Sequence, residues 1–345
     1  SAELGSGWNS EADNLKTYSG GSDDDWGTDD GSRQLPSQII QGLQAYQGSI
    51  GVQSILAGLG RTAEGGTLSQ AIAINTDYAL SLNRDMAIIQ KSSTPDVDGR
   101  VSFGNTYDFT SDLEGGIQLG GAYASKWRNK ERRQAVFSTP DQEFENESET
   151  TYSVDISATA TAGLRYLSEH ELTVASLMLR NSDDEVSISD FHNENRQVSS
   201  GLGFRDYRME FEEREMLVNQ VKGEHVLGLT TKELLRGWAD WLPTDAQVNW
   251  FYSDAKATSD MPNRVTMAFD TVVDPTSGAV LTETLKRDSS AIDYRFTALE
   301  DEVESYGWKA NIPFQLDRSA IDVKFGYQHD QKARSYAQRE FGFGA

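Results

Sequence analysis

The sequence contains no cysteine. That excludes a disulfide-stapled scaffold, a thiolate metal site and a cysteine nucleophile. It also lacks a long hydrophobic run. The longest mainly apolar stretch, Ile50 to Leu59 (IGVQSILAGL), falls well short of the roughly 20 residues a membrane-spanning helix needs. Basic residues are few: 31 Lys and Arg against 54 Asp and Glu, for a net charge of −23. A chain so charged has no basic face with which to neutralise nucleic-acid phosphates, so no nucleic-acid partner is expected. It is equally unsuited to docking on anionic lipid through a polybasic patch. Proline is scarce, and no Pro-rich or Gly/Ser linker divides the chain. The opening SAELGSGWNS carries no Met and no basic-then-apolar leader, so it reads as the start of a processed chain or of a fragment. Hydrophobic residues make up only 37%, yet aromatics reach 10%, too many for a disordered acidic chain.

Signatures of catalysis and of metal or cofactor binding are missing too. The histidines, at 170, 192, 225 and 329, form no HExxH and stand far apart in sequence. There is no GxSxG elbow, P-loop or GxGxxG turn. No catalytic, cofactor-binding or metal-ligating residue is assigned, no cofactor is expected, and the chain is not expected to be an enzyme. The acidic stretch Ser22 to Gly31 (SDDDWGTDDG) invites a calcium reading because hard cations want several carboxylates. It lacks the alternating ligands and distant Glu of an EF-hand, and a solvated turn is the default. Arg132 and Arg133 (KERRQ) read as a small basic island in a loop.

What the sequence does have is period two. From Tyr152 to Tyr166 the even positions are Tyr, Val, Ile, Ala, Ala, Ala, Leu and Tyr, and every odd position is polar or glycine. A helix would scatter these residues around its circumference; a strand separates them onto two faces. The same alternation marks 101–109, 117–127, 246–252, 292–298, 306–314 and 321–327. Weaker candidates lie at 76–88, 171–180, 205–221, 224–232 and 264–273. Together they predict an all-β protein of roughly ten to twelve strands. At about 3.3 Å per residue, fifteen alternating residues span about 50 Å, long for a soluble strand. Several strands begin or end in aromatics, a mark of membrane barrels, where aromatic girdles border an apolar band.

The connections are of two kinds. Thr110–Asp112 and Leu167–His170 read as tight turns. Asn129–Thr150, with the run DQEFENESET, and Asn181–Ser200 read as long acidic loops in which the negative charge concentrates. Short turns alternating with long loops suit an up-and-down antiparallel barrel. Residues 11–75 read as a long irregular excursion after the first strand, with a short helix from Pro36 to Tyr46.

Several segments resemble TonB-dependent outer-membrane receptors, in particular the type with a carboxypeptidase-like N-terminal extension. The similarity lies in AELGSGWNSEADN, in YSGGSDDDWGTDDGSRQLP with its Arg33, Gln34, Leu35 and Pro36, in Leu82–Asn83–Arg84, and in VSFGNTYDF and LEGGIQLGGAYASKW. It continues through LRNSDDE, EREMLVNQVKGEH, NWFYSDAKATSDMPNR and IDVKFGYQHDQKARSYAQREFGF, in that order along nearly the whole chain. The resemblance implies a 22-stranded transmembrane barrel around a plug. Such a receptor imports a scarce, bulky nutrient (siderophore, cobalamin, carbohydrate or peptide) across the cell outer membrane, with energy relayed by TonB. With ten to twelve strands and no plug or TonB box in view, residues 1–345 are expected to be the N-terminal half of such a barrel, a segment not functional by itself. Loops at 129–150 and 181–203 would then face outward, and Asp155, Arg165, Asp322 and Lys324 would face the lumen, more often paired between strands than touching ligand. Two other readings stay open. One is a smaller complete outer-membrane barrel, a porin or adhesin. The other is a secreted acidic β-sandwich binding module, whose apolar faces would share one core.

Overall fold

A computed structural model describes residues 1–8, 15–18, 20–60, 65–92, 94–235, 237–238, 241–288, 290–316 and 319–344. Among them are twelve strands and four α-helices. The strands are β1 (Ala2–Gly7), β2 (Leu15–Thr17), β3 (Ile89–Lys91), β4 (Asp96–Asp108), β5 (Leu113–Ala135), β6 (Phe144–Tyr166), β7 (His170–His192), β8 (Leu202–Val226), β9 (Gln247–Val273), β10 (Val280–Leu285), β11 (Ile292–Leu316) and β12 (Ser319–Phe343). The helices are α1 (Ser37–Ala45), α2 (Val52–Leu59), α3 (Leu68–Ser81) and α4 (Leu229–Leu235). Ten strands form one antiparallel sheet in the order β1-β4-β5-β6-β7-β8-β9-β11-β12, with β10 paired to the far end of β9. The sheet is open, with β1 and β12 at its edges. The all-β expectation is met, with an up-and-down order through the long strands.

Register assigns each side chain to a face. Tyr152 of β6 stands opposite Trp127 and Asp184, and Trp250 of β9 stands opposite Gly223 and Trp308. Near the short turns the alternating apolar residues of neighbouring strands therefore share one face; farther along β7–β11 that face also carries ion pairs, Arg180 with Glu213 and Glu215 and Lys256 with Glu300 and Glu302. A cavity of about 610 Å³ on the opposite, polar face takes its lining from β4 through β9 and from β11, including Asp98, Asp155, Arg214 and Asp301. In a flat sheet β4 and β11 would lie six spacings, about 29 Å, apart. The sheet is curled, with the polar face concave and the apolar face convex.

Pro262 lies in the middle of β9. A proline there removes a ladder hydrogen bond and is tolerated at a bulge. Pairing jumps from Phe211↔Asn263 to Glu213↔Asp260 on one side, and from Arg295↔Arg264 to Thr297↔Met261 on the other. On each side two β9 residues oppose one on the neighbour. The extra residue also switches parity. Val248, Trp250 and Tyr252 below the bulge and Val265 and Met267 above it all reach the convex face.

Residues 8–95 make an excursion that folds back on the far half of this convex face. Tyr18, Ile39, Ile50 and Leu82 pack there against Val186, Met209, Val265, Tyr294 and Phe296, which is the main hydrophobic core. Gly27, with φ of 69°, sits so close to Val154 and Ser182 that a β-carbon would collide with the sheet. The Tyr294 hydroxyl donates to the Asn83 carbonyl at 2.8 Å.

Several expectations need correction. The excursion holds α1, where a short helix from Pro36 to Tyr46 is expected, and two further helices, α2 and α3, in place of irregular chain; its residues 9–14, 19, 61–64 and 93 lie outside the described residues. The strand expected at 76–88 is the end of α3, started by a Thr67–Gln70 capping box, followed by irregular chain from Leu82. The strand expected at 224–232 ends at Val226 and gives way to α4. The segments at 129–150 and 181–200 are mostly strand, leaving only 136–143 and 193–201 as connections. The paired segments 246–252 with 264–273, and 292–298 with 306–314, are the single strands β9 and β11.

Candidate functional site

The negative charge sits largely on strands, contrary to the loop expectation. On the concave face β5 presents Lys126, Arg128, Lys130 and Arg132 at alternate positions, opposite acids of β6. Arg132 contacts Glu147 at 2.5 Å, Lys130 and Arg128 contact Glu149 at 3.5 and 3.8 Å, and Lys126 contacts Asp155 at 3.6 Å. The ladder continues across the sheet: Arg208 pairs with Glu185, Arg214 with Asp183, Arg264 with Glu210, and Arg334 with Asp301. Arg132 and Arg133 are thus strand residues, not a loop island, and Arg133 stacks over Phe144. Asp155, Arg165, Asp322 and Lys324 do share the concave face, and two of them are paired: Asp155 with Lys126, and Arg165 with Glu114 and Glu171.

A second concave cavity, of about 690 Å³, lies near the turn ends of β8, β9, β11 and β12. Lys222, Lys309 and Lys324 surround it together with Glu224 and Phe251.

The convex face carries an uncovered apolar band nearest the short turns, bordered on β7–β11 by the charged Arg180, Glu215, Asp254, Lys256 and Glu304. Phe103 (56% exposed), Ile117, Leu164 (47%), Val174, Leu217, Val248, Trp308 and Val323 form a band through eight neighbouring strands. Aromatics stand at strand ends on the turn side (Phe109, Tyr166, Phe314) and again on β9, β11 and β12 (Tyr252, Tyr306, Tyr327).

Two polar clusters tie connections to this convex face. In the first, Arg33 is 2% exposed. Its guanidinium donates to both oxygens of Asp24 at 2.7 Å and to Asp29, approaches Asp184 at 3.5 Å, and lies over the rings of Phe211 and Tyr18. Burial works against its charge, but the Asp24 hydrogen bonds and surrounding anions outweigh that and raise its pKa. Burial likewise pushes the Tyr18 phenol up. Asp30 accepts from the backbone N–H groups of Ser22 and Ser32, which holds its carboxyl far below the usual range. Within the acidic run Asp24 and Asp29 cradle the arginine, while Asp23, Asp25 and Asp30 stay exposed to solvent. Among the described residues no group of three or more His, Asp or Glu side chains is placed to hold a metal.

The second cluster joins residues remote in sequence. The Trp250 indole N–H donates to His225 Nε2 at 3.0 Å, His225 Nδ1 faces His170 Nδ1 at 3.3 Å, and His170 Nε2 lies 2.8 Å from Thr231 Oγ. Thr231 in turn donates to Glu169. An indole can only donate, so neutral His225 carries its proton on Nδ1 and donates to His170. His170 then carries its proton on Nε2 and donates to Thr231. One directional chain follows: Trp250, His225, His170, Thr231, Glu169. Glu169 also accepts from the backbone N–H groups of Thr230 and Thr231 at the start of α4. Desolvation tends to raise its pKa, but these donors win and lower it. Sequence spacing gave no hint of the histidine pair; only the β7–β8 register, His170↔His225, creates it. His192 packs on Phe144 and His329 on Tyr306.

No family model, curated protein or solved structure matches this chain.

Proposed function

We propose that the chain is part of the barrel of a TonB-dependent outer-membrane receptor that takes up a scarce, bulky nutrient. The observation that carries this reading is the exposed apolar band on a curled sheet whose other face is polar and ion-paired. A contiguous apolar band of this extent belongs against hydrocarbon, and a charged concave face belongs against water or a plug. The sequence resemblance supports the receptor class. The band also speaks against a sandwich, whose apolar faces would cover each other. In this reading β4–β9, β11 and β12 are roughly a third of a 22-stranded wall. The open edges at β1 and β12 would take further strands, because lipid-exposed edges are costly. The lumen would house a plug that contacts TonB, and ligand would pass along the concave face.

Phase partition between Triton X-114 and water tests the membrane assignment. The folded chain is expected in the detergent phase, with heat-modifiable mobility on gels. A folded chain that stays in the aqueous phase overturns the reading.

A further inference from the structure

Three of the connections on the turn side are minimal: 109–112, 167–169 and 317–318. The fourth, 227–246, is much longer and contains α4. It exposes Leu229 (70%), Leu234 (63%), Trp238 (81%) and Trp241 (74%). Such a concentration of large exposed apolar side chains on one connection has a cost in water and calls for a covering medium.

The place of α4 identifies that medium. Glu169 caps the helix from the β6–β7 turn, and His170 holds Thr231. His170, His225 and Trp250 all stand on the convex face, beside Tyr166. The helix is therefore held at the turn-side rim of the apolar band, on its outer side. Gly228 leaves no room for a β-carbon beside the Glu169 carboxylate, so the helix start lies directly against the turn. Tryptophan, with an apolar body and one N–H, favours the boundary between headgroups and acyl chains. A short helix that exposes Leu229, Leu234 and Leu235 at that level, continuous with an apolar band, is placed as an interfacial anchor would be.

We propose that α4, Trp238 and Trp241 form a membrane-interface anchor, lying in the lipid headgroup layer on the turn side of the sheet. The occupant is the bilayer interface itself, not a protein. This rests on the barrel reading above, and the test separates the two. The chain is reconstituted in phosphatidylcholine vesicles whose acyl chains carry bromine, a tryptophan quencher, either near the headgroup or near the chain end. The emission of Trp238 and Trp241 is taken as the difference between the native chain and W238F/W241F. That of Trp308, on the convex band, is taken as the difference between the native chain and W308F. Both differences are expected to lose intensity to brominated lipid, the 238/241 pair more to shallow bromine than to deep. They are also expected to be blue-shifted and poorly quenched by aqueous iodide. If Trp308 is quenched by lipid while the 238/241 difference stays red-shifted and iodide-accessible, the anchor is wrong and the barrel reading stands. If neither responds to lipid, both fall.

Discussion

Arg33 shows how one side chain can hold a long connection in place. Its charge is out of water, but three carboxylates, a phenol and an aromatic ring surround it. Breaking a buried pair on one side leaves uncompensated charge, at a cost of about 3–5 kcal/mol. R33M should therefore loosen the excursion by about that much, read as faster hydrogen exchange and proteolysis within 20–60, with the β5–β8 ladder still protected. The relay at α4 gives a second residue-scale prediction. It satisfies all four imidazole nitrogens with both rings neutral and ends on Glu169. The folded pKa of Glu169 is depressed, so its contribution is present above the ordinary glutamate value of about 4.3 and is lost as pH falls through the lower folded one. Hydrogen exchange of 227–235 against pH checks this, and E169Q should remove the step. Little of this was legible in the sequence. SDDDWGTDDGSR shows an acidic cluster next to an arginine, but not that the arginine is buried among the acids. The histidine pair spans 55 positions and appears only once register is fixed.

Strands were the most legible elements, because period two is a local signal. Their limits were not. DQEFENESET reads as loop because Glu, Asp and Asn are poor strand formers. It is largely strand because β5 presents a matching row of bases, a partner that no local window contains. α3 was missed although its Thr67-x-x-Gln70 capping box is visible. The bulge had a readable trace as well, since the apolar residues of β9 change from even to odd numbers across Pro262. Deleting Pro262 should remove the parity switch and turn Val265 and Met267 toward the polar side. Losing one such core contact costs about 2–5 kcal/mol. Denaturant unfolding of the deletion should show at least that loss, whereas P262A, which keeps the residue count, should lose much less.

For the whole molecule, the two faces are the property that matters, and one pair of neighbouring residues can test it. Val174 lies on the convex band and Ala175 on the concave face. In lipid, V174R should cost about 2–4 kcal/mol, while A175R should be near neutral. Equal effects, measured as the folded fraction in vesicles, would count against the lipid assignment. The fold class and the direction of the charged faces could be read from alternation and composition. The curl, the open edges and the fold-back of 8–95 could not, because they depend on contacts between segments far apart in the chain.

The excursion has one more consequence. Clamped to the same face as the apolar band but at the opposite end, it thickens the outside of the sheet like a collar on a shaft. A sheet wearing that collar can sink into a bilayer only until the collar meets the headgroups. If the barrel reading holds, α4 at the other rim would set the depth of immersion from that end too, and the fold would act as a gauge of the bilayer.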